Sequence, residues 1–567
     1  MSDLLLELAR SKFGELNAAE VRLFQAVVEG QFPDFSTRAA TLDGSSDPHH
    51  VLSGAIGDES PSQSGLSQSG ISQGGILRSG PSPSGTSQSG ASLKNIALVS
   101  ANCTERVLRA DRIAWLATEG GKFVTHRGIG IKGAHIEGRL DLQATNIVFA
   151  LYFENCDLPA GISLLGAEIH ALNLSGCQTG RISADGMKVE AGVFLRAGFK
   201  CTGRVRMAGA QIGGSLDCDR GHFFNPGSEA LVADGCKIQG SVSLGDGFRA
   251  DGQVRMPGAQ VGGSINCADA TFVFPGGDAL SADRLKVEGN VFFSSGFAAE
   301  GRVALPGAQI AGYFVWSGIR DRASATLDLR SAHVGTLWME RASWPKPGKL
   351  LLHGLTYDEM DERAAVNSAE RIAWLRLQPP TPFRPQPYEQ LAAVLRKDGY
   401  TDEAKRILYA KELDRAQRTR LSWSEVPWYR LFGPLIGYGY KPWRALWLSV
   451  AVVLLGTALF GWGASVGIMT PTKAEAYSHP GASSKIADFY PALQPFMYSL
   501  DMFTPLISLD QADYWLPNAR LGDQVWFGPS SVTTGSLLRA YMWFHIMAGW
   551  ILSTLLFVGL TGSVPGA

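Results

Sequence analysis

The chain is poor in charge and lacks any cysteine spacing that would build a disulfide frame or a metal site. Only 18% of its 567 residues are Asp, Glu, Lys or Arg, and the formal net charge is -1. With no basic run set among aromatics, nothing draws it to nucleic acid, and no nucleic-acid partner is expected. Its seven cysteines, an odd number without a C-x-x-C pair, fit reduced cytosolic thiols. Neither a disulfide nor a metal is expected. The opening MSDLLLELARSKFGEL sets Asp3 and Glu7 around a very short apolar run, so it is not read as a secretory signal.

What the chain has in excess is glycine, 66 residues, and repetition. RVRMAGAQIGGSLDC at 204–218 returns as QVRMPGAQVGGSINC at 253–267 and as RVALPGAQIAGYFVW at 302–316, each copy 49 residues after the last. A shorter period lies beneath it, an Ile or Val followed by alternating small and apolar positions, starting at Ile136, Val189, Ile212, Ile238, Val261, Val287 and Ile310. From Val189 the steps alternate between 23 and 26 residues. Ile212, Leu216 and Cys218 alternate as strand residues do, with Gly214 and, in a later copy, Gly289 expected at the inward position between apolar neighbours. The small residues Ala134, Ala210, Ala259 and Ala308 suggest a tight corner.

A coil of about two dozen residues, stacked on the next at the ~4.8 Å strand spacing, is the geometry of a β-helix. One coil cannot bury its inner face alone, so each must present the same ladder as its neighbours. The expected fold is mainly β: a right-handed parallel β-helix over 123–345, with Ile212, Val261 and Ile310 in one interior ladder. The longer coils carry HFFNPGSE at 222–229 and TFVFPGGD at 271–278, which recur on one side and read as surface loops or as a binding face. Charges on the coils are read as solvated surface, although stacking would align pairs such as Arg204 with Arg302 or Arg206 with Arg255.

Other segments flank this array. Residues 1–42 are expected to be helical, with Asn17 as N-cap, Glu20 at N3 and Val21, Phe24 and Val28 on one face. Residues 43–94 collapse to Ser, Gly, Gln and Pro and read as a disordered linker. A capping helix is expected within 95–122, over 102–117, and a cytoplasmic helical hairpin within 356–430, with Gly399 ending its first helix and Thr401 capping the second. The remainder, 431–567, reads as a membrane domain. Its uncharged stretches at about 445–469 and 540–564 are each long enough to cross a ~30 Å bilayer. His545 is the one titratable residue of the second.

Nine basic residues between Lys405 and Arg444 face four in the 470–539 loop, which also holds six acids. The positive-inside rule therefore expects a multi-pass protein with the β-helix and both termini in the cytoplasm. Within the loop, 489–510 is apolar and bounded by prolines. It reads as an interfacial helix or as a re-entrant segment, and Asp501 inside it is the candidate functional residue, because a carboxylate at membrane depth is costly unless it meets water or a partner.

Three motifs carry less. Gly70–Gly74 matches G-x-S-x-G but sits in the Ser/Gly tract, where no strand-to-helix turn can form. Gly128–Gly133 matches G-x-G-x-x-G, yet an alternating strand follows where dinucleotide binding needs a helix. Gly437-Tyr438-Gly439 precedes the first span, the wrong place for a potassium filter. No catalytic residue and no cofactor is expected.

The order of AAEVRLFQAVVEG, RIAWL, RGIGIKGAHIEGRLDL, GAQIGGSLDC-type coils, YEQLAAVLRKDGYTDEAKRIL, GYGYKPWRAL and YSLDMFTPL resembles a bacterial family of pentapeptide-repeat-like membrane proteins, often catalogued as membrane-associated oxidoreductases. The resemblance implies a protein of the bacterial inner membrane. It brings no catalytic residues with it, and the coils depart from a strict five-residue repeat. The leading expectation is a non-enzymatic, membrane-anchored scaffold or sensor whose β-helix binds a protein partner or a second copy. The alternatives are an oligomeric channel-like protein with a re-entrant segment, and a membrane-associated oxidoreductase.

Overall fold

In the computed structural model the described residues are 1–36, 106–361, 363, 367–426, 429–430, 433, 437–441, 443–477, 486, 490–505, 508–527 and 530–561. The expected linker at 43–94, the motif at Gly70–Gly74 and the tail after 561 lie outside them. The chain divides into two compact units, 1–205 and 206–567. Together they hold a parallel β-solenoid of about 10 turns followed by helices.

The first unit opens with α1 (Ser2–Phe13) and α2 (Ala18–Glu29). The capping box forms as expected: Asn17 Oδ1 accepts from the Glu20 amide and Glu20 Oε2 from the Asn17 amide. The buried face of α2 is Leu23, Phe24, Ala26 and Val27, whereas Val21 and Val28 of the expected face are only half-buried.

Residues 33–35 then run beside Ile129–Lys132. The Phe35 amide donates to Lys132 O at 2.8 Å and the Lys132 amide to Pro33 O at 3.2 Å. This covers the open edge of the first turn, as solenoids require. It also explains two glycines of the G-x-G-x-x-G match. A Cβ on Gly130 would fall 2.2 Å from the Phe32 ring, and one on Gly133 2.6 Å from Ser36. The motif seats a capping segment between its glycines.

The expected helix over 102–117 is shorter. Val107–Arg109 is a strand pairing in parallel with His135–Glu137, and α3 covers only Ala110–Ala117. An edge amide satisfied by a neighbouring strand outweighs local helix preference here. Strands of two to four residues follow in parallel register, for example Leu151↔Leu172↔Val193.

In the second unit the ladder is continuous: Ile212↔Ile238↔Val261↔Val287↔Ile310↔Val334. All six side chains are buried, so every turn contributes to the interior row that holds Ile212, Val261 and Ile310. The glycines are placed differently from the expectation. Gly214, Gly240, Gly263, Gly289 and Gly312 form a corner between the two buried rows, the last four each donating an amide to the glycine carbonyl one turn back at 2.9–3.1 Å. A Cβ on Gly240 would lie 2.7 Å from Gly214 O, so the chain packs backbone on backbone.

Beside that corner runs a side-chain ladder. Ser215 Oγ accepts from the Ser241 amide, Ser241 Oγ from Ser264, Ser264 Oγ from Asn290, and Asn290 Oδ1 from Tyr313, at 2.8–3.1 Å. Ala210, Ala259 and Ala308 are buried immediately after the left-handed Gly209, Gly258 and Gly307, which turn the chain into the next side.

The inserts at 222–229 and 271–278 are not loops. They lie within bulged strands, His222–Val232 and Thr271–Ser281. In register, Phe223↔Ala250↔Phe272↔Ala299 alternates large with small. Phe248 and Phe297 fill the space above the alanines, giving ring contacts at 5.2, 5.7 and 5.3 Å along Phe223, Phe248, Phe272 and Phe297. This alternation gives the 49-residue period its physical content, because two turns complete one cycle of packing.

Strands continue past the expected boundary at 345, to Leu350–Leu351 and Thr356–Met360. The last edge is met by helices α4 (Ser368–Leu375), α5 (Gln386–Lys397) and α6 (Thr401–Arg418). Gln386 Nε2 donates to Leu355 O and Gln390 Nε2 to Tyr357 O, both at 2.8 Å. Gly399 separates α5 from α6 with φ +88, but Thr401 is already helical. Tyr400 stands at the N-cap without a side-chain cap, and Asp402 and Glu403 complement the helix dipole in the first turn.

Two helices are long and apolar enough to cross a membrane, α7 (Trp443–Ser465) and, after the short α8 (Pro495–Phe503), α9 (Thr534–Thr561). At 1.5 Å per residue α7 spans about 35 Å. Only 28% and 22% of their most apolar windows are buried. α7 ends before the expected 469 because Gly467 turns left-handed and Met469–Pro471 pairs antiparallel with Trp515–Pro517. α9 begins at Thr534 rather than 540, so Arg539 lies within it.

Candidate functional site

The candidate residues meet where α8 wedges between α7 and α9. Two glycines allow it. A Cβ on Gly456 of α7 would lie 2.3 Å from Ser499 Oγ, and one on Gly549 of α9 would lie 2.1 Å from Phe503 O. Pro495 starts the wedge at a position where its missing amide proton costs nothing. Tyr498, Ser499 and Phe503 are buried, and Tyr498 stacks edge-on against Phe460 at 4.8 Å.

At the centre is His545, fully buried within α9. Its Nε2 lies 3.0 Å from Ser499 O and its Nδ1 3.2 Å from Tyr541 Oη. Ser499 Oγ donates to Val453 O at 2.8 Å and lies 3.3 Å from His545 Nε2. The arrangement that satisfies every group is a neutral imidazole donating from Nε2 to the Ser499 carbonyl and accepting at Nδ1 from Tyr541. The serine hydroxyl proton is directed at a backbone carbonyl, so the pair is a structural joint of three helices and not a serine primed as a nucleophile.

Asp501, the residue singled out from sequence, is outside this cluster. It is half-buried, and its carboxylate accepts from the amides of Leu509 at 2.7 Å and Ala512 at 2.8 Å. It closes the turn that follows α8. Of the residues in the cluster, only His545 stands out in the sequence, as a lone histidine in an uncharged stretch. Ser499 and Tyr541 do not; the signal for them is a buried histidine needing a donor and an acceptor within an otherwise apolar bundle.

On the solenoid, charges pair across turns. Arg255 binds Asp234 at 2.7 Å and Arg302 binds Asp278 at 2.5 Å, while within a single turn Arg330 binds the buried Asp328 at 2.7 Å. A shallow groove of about 760 Å³ runs past Asp278, Glu300, Arg302, Asp321, Ser324 and Thr326. Burial opposes ionisation of Asp251, but hydrogen bonds from Arg249 and His222 outweigh it and hold its carboxyl below the usual carboxylate range. Among the described residues no three His, Cys, Asp or Glu side chains are grouped as a metal site. The six described cysteines are buried and form no disulfide, and burial pushes the Cys201 thiol up to about 11. Gly437–Gly439 turns through left-handed backbone at Gly437 (φ +62) and Tyr438 (φ +53), with Tyr438 Oη donating to Tyr429 O.

No protein-family model matches the chain, and no curated protein and no solved structure is similar to it.

Proposed function

We propose that this chain is a non-enzymatic, membrane-anchored scaffold or sensor. A right-handed solenoid presents an interaction surface, the hairpin of α5 and α6 links it to two membrane spans, and α8 ties those spans together. The observation that carries this reading is the exposure of α7 and α9. Trp447 and Trp462 of the first and Trp543, Phe544, Trp550 and Phe557 of the second are between 46% and 69% exposed, whereas a core helix of a soluble protein would hide them. Lipid is the solvent that suits such faces. The charge asymmetry about the helices, read by the positive-inside rule, supports a cytoplasmic solenoid and cytoplasmic termini with the 470–533 segment outside, as the resemblance to bacterial pentapeptide-repeat-like membrane proteins also implies.

The test is membrane extraction and labelling of the full chain. It should resist alkaline carbonate. A cysteine replacing Gln524 should react with an impermeant maleimide in intact cells, and one replacing Ser424 only after permeabilisation. Release by carbonate would refute membrane anchoring, and the reverse labelling pattern would refute the orientation.

A further inference from the structure

The two ends of the helix pair differ in charge. Where α7 leaves its C-terminal end, the exposed acids are Glu475, Asp510, Asp513 and Asp523. At the end where α7 begins, Arg420, Arg430 and Arg444 are exposed instead, together with Trp423, Trp443 and Trp447 at 89%, 53% and 68% exposure.

This basic end is built. Tyr429 Oη donates to Glu412 of α6 at 3.0 Å, Tyr438 Oη donates to Tyr429 O at 3.0 Å, and Lys441 Nζ sits 4.3 Å from the centre of the Tyr409 ring. Those contacts hold Tyr429, Tyr438 and Lys441 near α6, so Arg430 and the start of α7 share a neighbourhood with the C-terminal half of α6. Arg415 is engaged by Glu425 at 3.3 Å, whereas Arg420, Trp423 and Arg430 are exposed.

We infer that this collar is a docking surface for anionic phospholipid headgroups of one leaflet. Indole rings settle at headgroup depth, where their apolar faces meet acyl chains and their N–H groups meet water and ester oxygens. Guanidinium groups at that depth bind phosphate oxygens in a bidentate manner. A zwitterionic lipid offers the same phosphate with its charge cancelled, so the collar distinguishes leaflet compositions. It thereby fixes the depth and tilt of the helix that carries the solenoid. The inference rests on the membrane-anchored reading above and adds a lipid class to it.

The test uses the full chain, first inserted into nanodiscs of dioleoylphosphatidylcholine alone, then titrated in neutral detergent with dioleoylphosphatidylglycerol or dioleoylphosphatidylcholine and followed by native mass spectrometry. With about five-fold per basic residue at an anionic surface, R420Q/R430Q should weaken phosphatidylglycerol binding on the order of 25-fold and leave phosphatidylcholine binding unchanged. K473Q/R520Q, at the opposite end, should change neither. Equal binding of the two lipids, an unchanged affinity in R420Q/R430Q, or an equal loss in K473Q/R520Q would overturn the lipid proposal while leaving anchoring intact. Failure of the chain to enter neutral nanodiscs would overturn the anchoring reading itself.

Discussion

Phe223 and Phe224 are neighbours in one strand and should respond oppositely to truncation. Phe223 is fully buried, its ring 5.2 Å from that of Phe248, whereas Phe224 is 47% exposed and meets only the edge of His222 at 6.0 Å. Removing a buried phenyl ring costs about 3–5 kcal/mol, the spread reflecting how far the surroundings collapse. Around Phe223 the walls are hydrogen-bonded turns whose spacing is set by the backbone ladder, so collapse is limited and about 4 kcal/mol is expected. For the solenoid part of the second unit, 206–360, each kcal/mol moves Tm by roughly 2–4 °C, giving a shift of about 8–16 °C for Phe223→Ala. Phe224→Ala should stay within about 1 kcal/mol. Thermal unfolding of the full chain in detergent, followed in the far-ultraviolet β-sheet signal, measures both. Equal shifts, or a loss below about 1 kcal/mol for Phe223→Ala, would refute the strand register.

Three further outcomes follow from particular contacts. Burial opposes charge on Glu20, but hydrogen bonds from Arg109 and the Asn17 amide outweigh it, so its folded pKa lies below the ordinary value of 4.5. The stability it contributes is complete above that value and is lost as pH falls through the lower folded one; amide exchange in α2 should accelerate over that window, and E20Q, costing about 2 kcal/mol, should abolish the pH dependence. Asp501→Asn leaves one carbonyl oxygen where two carboxylate oxygens accept, so exchange at Leu509 and Ala512 should rise by about 1.5–3 kcal/mol of lost protection, and unchanged exchange would remove the turn-closing role. Gly549→Ala drives a methyl group to 2.1 Å from Phe503 O, so proteolysis within 490–512 should become faster while Gly121→Ala, whose Cβ would meet nothing nearer than the Phe149 ring at an ordinary 3.5 Å, leaves it unchanged.

Much of the solenoid is legible in the chain because stacked turns must share an interior. The 23- and 26-residue steps give the register of Ile212, Ile238 and Val261 directly. Less visible is what each glycine does. Alternation alone places Gly214 inside, and only the approach of neighbouring turns to backbone contact makes it a corner. The inserts at 222–229 and 271–278 look like loops because Pro and Gly break strand patterning, yet bulges absorb those residues without ending the ladder. The strand at Val107–Arg109 is hidden for the opposite reason: its partner His135–Glu137 is distant in sequence, and local composition favours helix. In the membrane helices, length and hydropathy mark the spans and Asp501 draws attention by its charge. The Ser499, Tyr541 and His545 joint depends on three helices meeting and has no local signature.

The way the turns are stacked also sets how the chain bears load. Each turn holds to the one before and the one after through a parallel ladder such as Ile238↔Val261, with no turn clasping the whole. Tension drawn through the helices that follow Met360 falls first on the terminal turn, which must give way before its neighbour is loaded. A released turn of about two dozen residues yields roughly 80 Å of slack chain. Under such a load the solenoid lengthens one turn at a time, in steps of 23 or 26 residues between Val189 and Ile310, and the turns beyond the break keep their shape.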